Sequence, residues 1–281
     1  MKVKHKIALR YIKTKLNLLS VINKKKAGEE VFRLFCTPLK KGKTEVHEVF
    51  KYAEPVAFVS DGKSIKGYRC NKGGTKKILL LHGFSSNCQH FGRYVQPLVS
   101  KGYEVLAFDA PAHGRSEGIT SNAMDYSEMI TKVNELYGPV NGYIAHSFGG
   151  ISVMLALENI PHSTDTHVVL IAPATETNTA IDGAFNMLAL NNKPLRKVVD
   201  NIILEKSGRT TEWFSIRRAI KNISAQILWI HDKDDDITPL SDALKVKDDK
   251  PQNVRFLITS SLGHRRIYRD PAVIQHVVNF L

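Results

Sequence analysis

The fold of this chain is decided by the stretch around Ser147, which reads Tyr143-Ile144-Ala145-His146-Ser147-Phe148-Gly149-Gly150-Ile151-Ser152-Val153-Met154-Leu155-Ala156. The part before the serine is a short apolar run that suits a buried parallel strand. The part after it has two glycines and then apolar residues at helical spacing. We therefore predict a strand, a sharp turn and a helix that meet at Ser147. The small residues Ala145 and Gly149 lie where the two backbones approach each other.

The composition is typical of a soluble globular protein, with 43% apolar and 24% charged residues in a chain of 281. Its cysteines, Cys36, Cys70 and Cys88, are widely spaced and form no Cys-x-x-Cys pair. This argues against a disulfide framework or a structural zinc site and favours a reducing compartment. Because the sequence shows neither an apolar run of membrane-spanning length nor a signal peptide, we expect a cytoplasmic protein, with membrane attachment at most peripheral.

Positive charge is concentrated at the N-terminus. Residues 1–45 contain thirteen Lys or Arg against three Glu, so this segment carries +10 of the total net charge of +13. Apolar residues recur at helical spacing from Ile7 to Ile22, with basic residues between them, and a second such run extends from Glu29 to Phe35. The pattern predicts amphipathic helices with a basic polar face.

Two interpretations of this basic segment stay open, and a third is not expected. The helices can simply pack on the domain with a solvated lysine face. Alternatively, residues 1–26 can make peripheral contact with an anionic membrane, because lysines near such a surface are attracted to it. Nucleic acid is not an expected partner, because the segment lacks a nucleic-acid-binding motif and an interleaved aromatic array.

Strands alternate with helices through most of the chain, which predicts an α/β fold with a doubly wound, mostly parallel sheet. Short strands are predicted at 47–52, 56–59 and 64–69, before the first buried strand, which begins at Lys77. Residues 177–224 break the alternation and are largely helical in pattern. We therefore predict three parts: an N-terminal helical segment at 1–45, a core at 46–176 and 225–281, and a helical lid or cap at 177–224.

Residues able to carry out chemistry follow the predicted strands. In a sheet of this kind ligands bind outside the carboxyl ends of the strands. Those ends carry His82-Gly83-Phe84, Asp109, Ser147, Asp235 and Gly263-His264. A serine hydroxyl becomes a nucleophile when an imidazole takes its proton, and the imidazole needs a carboxylate to orient it. Ser, Asp and His follow one another here in the chain order of α/β-hydrolases.

From about residue 46 to the C-terminus the sequence resembles the α/β-hydrolase superfamily. Five pieces match in order and spacing, namely His82-Gly83-Phe84, the loop 108–116, the turn at Ser147, the loop 231–239 and Gly263-His264. Ala145 and Ala112 stand where the family usually has glycine. Alanine is also a small residue, so neither replacement argues against the fold.

The resemblance implies a role for each matched residue. Ser147 is expected to be the nucleophile, His264 the general base and acid, and Asp235 the orienting carboxylate. The backbone N–H groups of Phe84 and Phe148 are expected to form the oxyanion hole.

Neighbouring polar residues have simpler interpretations. Asp232, Asp234 and Asp236 are expected to be loop charges or caps of the following helix, and Asp109 to order its own loop. The four other histidines of the matched pieces are expected to belong to the scaffold: His82, His113, His146 and His231. None has the spacing of a metal site, and no cofactor is implied.

These features together predict a serine hydrolase that cleaves carboxylic esters or thioesters of a small-molecule acyl substrate through an acyl-enzyme. The expected substrate-binding residues lie in the predicted lid: Phe185, Met187, Leu188, Trp213 and Phe214. A peptidase or acyltransferase could use the same triad, and a binding protein could keep the fold without turnover.

Overall fold

One eight-stranded sheet organises the computed structural model, which describes residues 3–39 and 46–281. The strands are β1 (Glu54–Ser60), β2 (Lys63–Cys70), β3 (Lys77–Leu81), β4 (Glu104–Phe108), β5 (Gly142–His146), β6 (His167–Ile171), β7 (Gln226–Asp232) and β8 (Val254–Thr259). Their order is β1-β2-β4-β3-β5-β6-β7-β8, and only β2 pairs antiparallel with its neighbours. The predicted α/β, mostly parallel fold is therefore confirmed.

The helices are α1 (Val3–Ile22), α2 (Lys24–Phe35), α3 (Gly92–Ser100), α4 (Ala123–Tyr137), α5 (Phe148–Leu157), α6 (Thr177–Met187), α7 (Lys193–Ser207), α8 (Ile216–Ala219), α9 (Leu240–Asp248), α10 (Gly263–Arg266) and α11 (Pro271–Phe280). Contacts divide the described residues into two units. The sheet unit contains the described residues from 38 to 175 and residues 216–281. The second unit contains residues 3–37 and 176–215. Residues 216–224 thus belong to the sheet unit, although they were predicted as the end of the lid. None of the helices within the described ranges is long and apolar enough to cross a bilayer.

The sheet unit is built in layers because its central strands are apolar on both faces. Ile78 and Leu80 of β3 belong to a buried cluster with Val95 of α3 and Val277 of α11. Alternate strand residues such as Leu79, which is also fully buried, point to the opposite face. Parallel sheets require this double covering, and it leaves the carboxyl ends of the strands as the place where polar loops gather.

The strand predicted at 47–52 is wrong. Residues Glu48–Tyr52 form a 3-10 helix, in which Phe50 is buried and stacks on Tyr68 with ring centroids 4.8 Å apart. Val49 also packs against the buried cluster. Adjacent residues of a strand point to opposite faces, so only a helical turn lets Val49 and Phe50 both face the core.

The second unit consists of α1, α2, α6 and α7. In α2, Gly28 lies against α7 so closely that a Cβ there would stand 2.4 Å from Val198 Cγ1. Leu16 of α1 is fully buried. The predicted helix from Ile7 to Ile22 is thus present as part of α1.

Candidate active site

Ser147 occupies the turn between β5 and α5 in a strained backbone conformation, with φ 53° and ψ −114°. Such a conformation costs roughly 1–3 kcal/mol and persists only where the surroundings enforce it. The Ser147 N–H donates to the carbonyl of Ile171 at 3.1 Å. A Cβ on Gly149 would lie 2.6 Å from the carbonyl oxygen of Leu81, so only glycine fits there. Ala145 lies within β5 and is not among the residues with positive φ, which is why alanine can replace glycine at that position.

The structure brings Ser147, His264 and Asp235 together in a hydrogen-bonded chain. Ser147 Oγ lies 3.0 Å from His264 Nε2, and His264 Nδ1 lies 2.8 Å from Asp235 Oδ2. Because a carboxylate can only accept, Nδ1 carries the proton and Nε2 is the acceptor for the serine hydroxyl. This is the arrangement that serine activation by an imidazole requires.

Asp235 is held as a carboxylate. Burial by itself would raise its pKa, but hydrogen bonds from His264 and from the backbone N–H groups of Thr238 and Ile237 outweigh burial, so the pKa of Asp235 is lowered. The Thr238 hydroxyl lies 2.9 Å from Asp235 Oδ2 and 3.1 Å from His264 Nδ1. Thr238 therefore sits between the acid and the base, a role that its sequence position did not suggest.

The backbone around Gly83 lies directly against the serine. A Cβ on Gly83 would be 3.1 Å from Ser147 Cβ, and the rings of Phe84 and Phe148 meet edge to face at 5.3 Å. Phe148 is the first residue of α5, so its N–H has no acceptor within the helix. The two predicted oxyanion donors thus belong to segments that meet beside Ser147.

His82 and Asp109 organise the neighbouring loop. His82 Nε2 accepts from the N–H of Ala110 at 3.0 Å, and Nδ1 donates to the carbonyl of Gly83 at 2.8 Å. Asp109 accepts from the N–H of Arg115 at 2.9 Å. Burial lowers the pKa of His82, which keeps the ring neutral and able to make both bonds. Asp109 orders its own loop, as predicted.

Two further histidines support the base. His146 Nε2 donates to the carbonyl of His264 at 3.0 Å, and the two rings lie 4.7 Å apart. His231 Nε2 donates to the carbonyl of Thr238 at 2.8 Å. Burial lowers the pKa of both histidines, that of His146 to about 3. They are neutral parts of the scaffold that fix the backbone on either side of the acid–base pair.

Asp232 links the loop that carries the acid to the loop that carries the base. One of its oxygens accepts from the N–H groups of Asp234 at 3.0 Å and Gly263 at 2.9 Å. The other accepts from Thr259 Oγ1 at 2.6 Å and from the N–H of Leu262 at 3.2 Å. The prediction of a loop charge therefore understates the role of this residue. Three of its four donors, at the end of β8 and in the loop after it, are distant from Asp232 in sequence, so only the structure reveals them.

The other two aspartates of this loop differ from each other. Asp234 accepts from the N–H of Ser261 at 2.6 Å and adds a second tie between the loops, whereas Asp236 is exposed. None of these aspartates caps α9, because Pro239 occupies the N-cap position.

The five predicted substrate-binding residues all lie in the second unit. Phe185 and Phe214 are buried, Trp213 packs edge to face on Phe214 at 5.1 Å, Leu188 is partly buried and Met187 is exposed. Their contact with substrate stays a prediction. Among residues 3–39 and 46–281, no group of His, Cys, Asp or Glu is arranged to hold a metal ion.

Comparisons with known proteins support membership of the α/β-hydrolase superfamily. The family model of the serine aminopeptidases S33 matches residues 74–233, a segment that contains Ser147 but ends before Asp235 and His264. An uncharacterized protein of Bacillus subtilis, YqkD, is 27% identical over 80% of this chain and 77% of its own length. The lysophosphatidylserine lipase ABHD12 of Danio rerio is 27% identical over 73% of this chain, which spans 57% of that relative. The Pyrococcus furiosus esterase Pf2001 shares the fold with a TM-score of 0.65 at 18% identity, over 88% of this chain and 97% of the esterase.

Removing the carboxylate of Asp232 should destabilise the protein. In Asp232→Ala four buried or partly buried donors lose their acceptor, and we expect the free energy of unfolding in urea to fall by roughly 3 kcal/mol. Asp236→Ala is the matched control, because that aspartate is exposed, and it should change the value by less than about 0.5 kcal/mol. Equal effects of the two substitutions would contradict the role assigned to Asp232.

The buried histidines should make the protein less stable in acid. A histidine whose pKa is lower in the folded chain binds a proton more readily when unfolded, so stability falls as pH falls from about 6.5 towards the folded pKa. For His146 that window extends down to about pH 3, with a slope of up to about 1.4 kcal/mol per pH unit.

His146→Asn removes the titrating ring and should therefore flatten the pH dependence of the unfolding free energy between pH 6.5 and 4. Part of the pH dependence should remain in this variant, because the pKa values of His82 and His231 are lowered too. His276→Asn, at an exposed position of α11, serves as the control. An unchanged slope in His146→Asn would show that this ring is not a source of the acid sensitivity.

Proposed function

The chain belongs to the serine aminopeptidase S33 family of α/β-hydrolases, and we propose that it is a serine hydrolase acting on carboxylic esters or thioesters. The observation that carries this proposal is the hydrogen-bonded chain from Ser147 through His264 to Asp235, with distances of 3.0 and 2.8 Å. The lowered pKa of Asp235 supports it, because an ionised acid is needed to stabilise the imidazolium that forms during catalysis.

The reaction runs through an acyl-enzyme. Ser147 Oγ attacks the carbonyl carbon while its proton passes to His264 Nε2, and the negative oxygen is met by the N–H groups of Phe84 and Phe148. As the tetrahedral intermediate collapses, His264 gives the proton to the leaving alkoxide or thiolate. A water molecule then repeats the sequence with His264 as base and releases the carboxylic acid.

Three considerations favour esters or thioesters over amides. The apolar rings of Phe84 and Phe148 lie together beside the serine and suit an acyl chain. The Danio rerio relative is named as a lipase, although this chain spans little more than half of it. An alkoxide or thiolate also leaves more readily than an amine. The predicted lid residues, Phe185 and Trp213 among them, are proposed to contact the substrate. A serine peptidase or an acyltransferase on the same triad is the alternative.

We further propose that the protein works in the cytoplasm. This is supported by the cysteines, since residues 3–39 and 46–281 contain no disulfide.

A fluorophosphonate probe should label Ser147 in the folded protein. Ser147→Ala should abolish labelling, and both Ser147→Ala and His264→Ala should lower ester turnover by roughly four to six orders of magnitude, because triad members act as a unit. Ser241→Ala, at an exposed serine of α9, is the control and should label as the parent does. Folded protein that resists the probe would instead indicate a binding protein that has kept the fold without turnover.

A matched series of substrates separates esters from amides. With p-nitrophenyl esters of increasing acyl length and the corresponding aminoacyl anilides, we expect kcat/KM to be larger for the esters at every length. Higher kcat/KM for aminoacyl anilides would favour a peptidase, and transfer to an added alcohol in preference to water would favour an acyltransferase.

A further inference from the structure

One face of α1 exposes large apolar side chains to solvent. Tyr11, Leu18, Val21 and Ile22 are between 62% and 85% exposed. With 100° per residue, Tyr11, Leu18 and Ile22 fall within about 40° of one another around the helix, and Val21 flanks them. The stripe is about 17 Å long at 1.5 Å per residue. We call these four residues the α1 stripe.

The α1 stripe does not belong to the packed side of the helix. Leu16 and Ser20, which lie on the other side of α1, are buried. A helix that only packs on its own unit normally turns polar residues to solvent. Four large apolar residues in one exposed row therefore point to an interaction surface.

Basic residues border the stripe. Lys24, Lys25 and Lys26 form the first turn of α2, one residue after the end of α1, and are exposed. Arg10, which precedes Tyr11 in the chain, is exposed as well. Acidic residues are few: from 9 to 35 the chain has seven Lys or Arg against Glu29 and Glu30. The ion pair of Lys25 with Glu205 is long, at 3.4 Å, and both side chains are more than 60% exposed.

We propose that the α1 stripe and the lysines at 24–26 bind the surface of a membrane that contains anionic lipid. The four apolar side chains enter the boundary between headgroups and acyl chains, and the lysines lie at the level of the lipid phosphates. A nucleic acid would use the lysines but offers little to Leu18, Val21 and Ile22. A second copy of the chain, paired symmetrically through the stripe, would bring two sets of like charges together. This surface lies in the second unit and is independent of the proposed hydrolase activity.

The test is co-sedimentation of the full chain with vesicles of equal parts phosphatidylglycerol and phosphatidylcholine, against vesicles of phosphatidylcholine alone. The parent should bind the anionic vesicles at least tenfold more tightly. Replacing Lys24, Lys25 and Lys26 together with glutamine should weaken that binding about a hundredfold, since each lysine near an anionic surface contributes about fivefold. Leu18→Gln with Ile22→Gln should weaken it about tenfold or more, because burial of apolar side chains is lost.

Two control variants match these changes elsewhere. Glutamine at Lys221, Lys247 and Lys250 alters the net charge equally at exposed positions of the sheet unit. Ile119→Gln removes an exposed apolar residue from the same unit. Both should bind as the parent does, and circular dichroism checks that each variant is folded. If the apolar variant does not fold, the lysine variant still tests whether this surface binds anionic vesicles.

Three results would overturn the proposal. One is equal binding of the parent to both kinds of vesicle, or to neither. Another is an equal loss in the lysine variant and its control, which would indicate general charge attraction. The third is a concentration-dependent dimer in light scattering that Leu18→Gln abolishes while vesicle binding stays unchanged, which would assign the stripe to a second copy of the chain.

Discussion

The close approach of β5, α5 and the end of β3 is the constraint on which the site depends. Ser147 can stay in its strained conformation because its N–H is bonded to Ile171 at 3.1 Å and because Gly149 lets the backbone reach the carbonyl of Leu81. The same contact brings the segment of Gly83 and Phe84 beside the serine. Ser147 and the predicted oxyanion donors are therefore placed by backbone packing, and not by contacts among the side chains of the proposed triad.

A second set of contacts brings the acid and the base to that serine. Asp235 and His264 are carried by loops after different strands, and Asp232 joins the two loops through four hydrogen bonds. His146 and His231 fix the backbone at His264 and Thr238, and their lowered pKa values keep them neutral while they do so. These two histidines thus add no positive charge beside Asp235 and His264.

The sheet and the residues that meet at its edge could be predicted because they follow from local pattern. Apolar runs of strand length alternate with helices, and parallel strands place their carboxyl ends together, so Ser147, Asp235 and His264 were expected at one edge. The 3-10 helix that contains Phe50 was missed because the short run 47–52 also suits a strand. Only its packing against the core distinguishes a 3-10 helix from a strand there. The roles of Asp232 and Thr238 were missed because each depends on partners that are distant in sequence, residues 259–263 for Asp232 and His264 for Thr238. The grouping of α1 and α2 with residues 176–215 was missed for a similar reason, since no local pattern records which helices pack together.

In the proposed reaction Ser147 carries the acyl group during turnover. Intact-protein mass spectrometry after rapid acid quench of a reaction with a p-nitrophenyl ester, followed by peptide mapping, tests it most directly. We predict a mass increase equal to one acyl group, located on the peptide that contains Ser147 and missing from Ser147→Ala. Turnover of the ester with the acyl group on another residue, or continued acylation of Ser147→Ala, would contradict it.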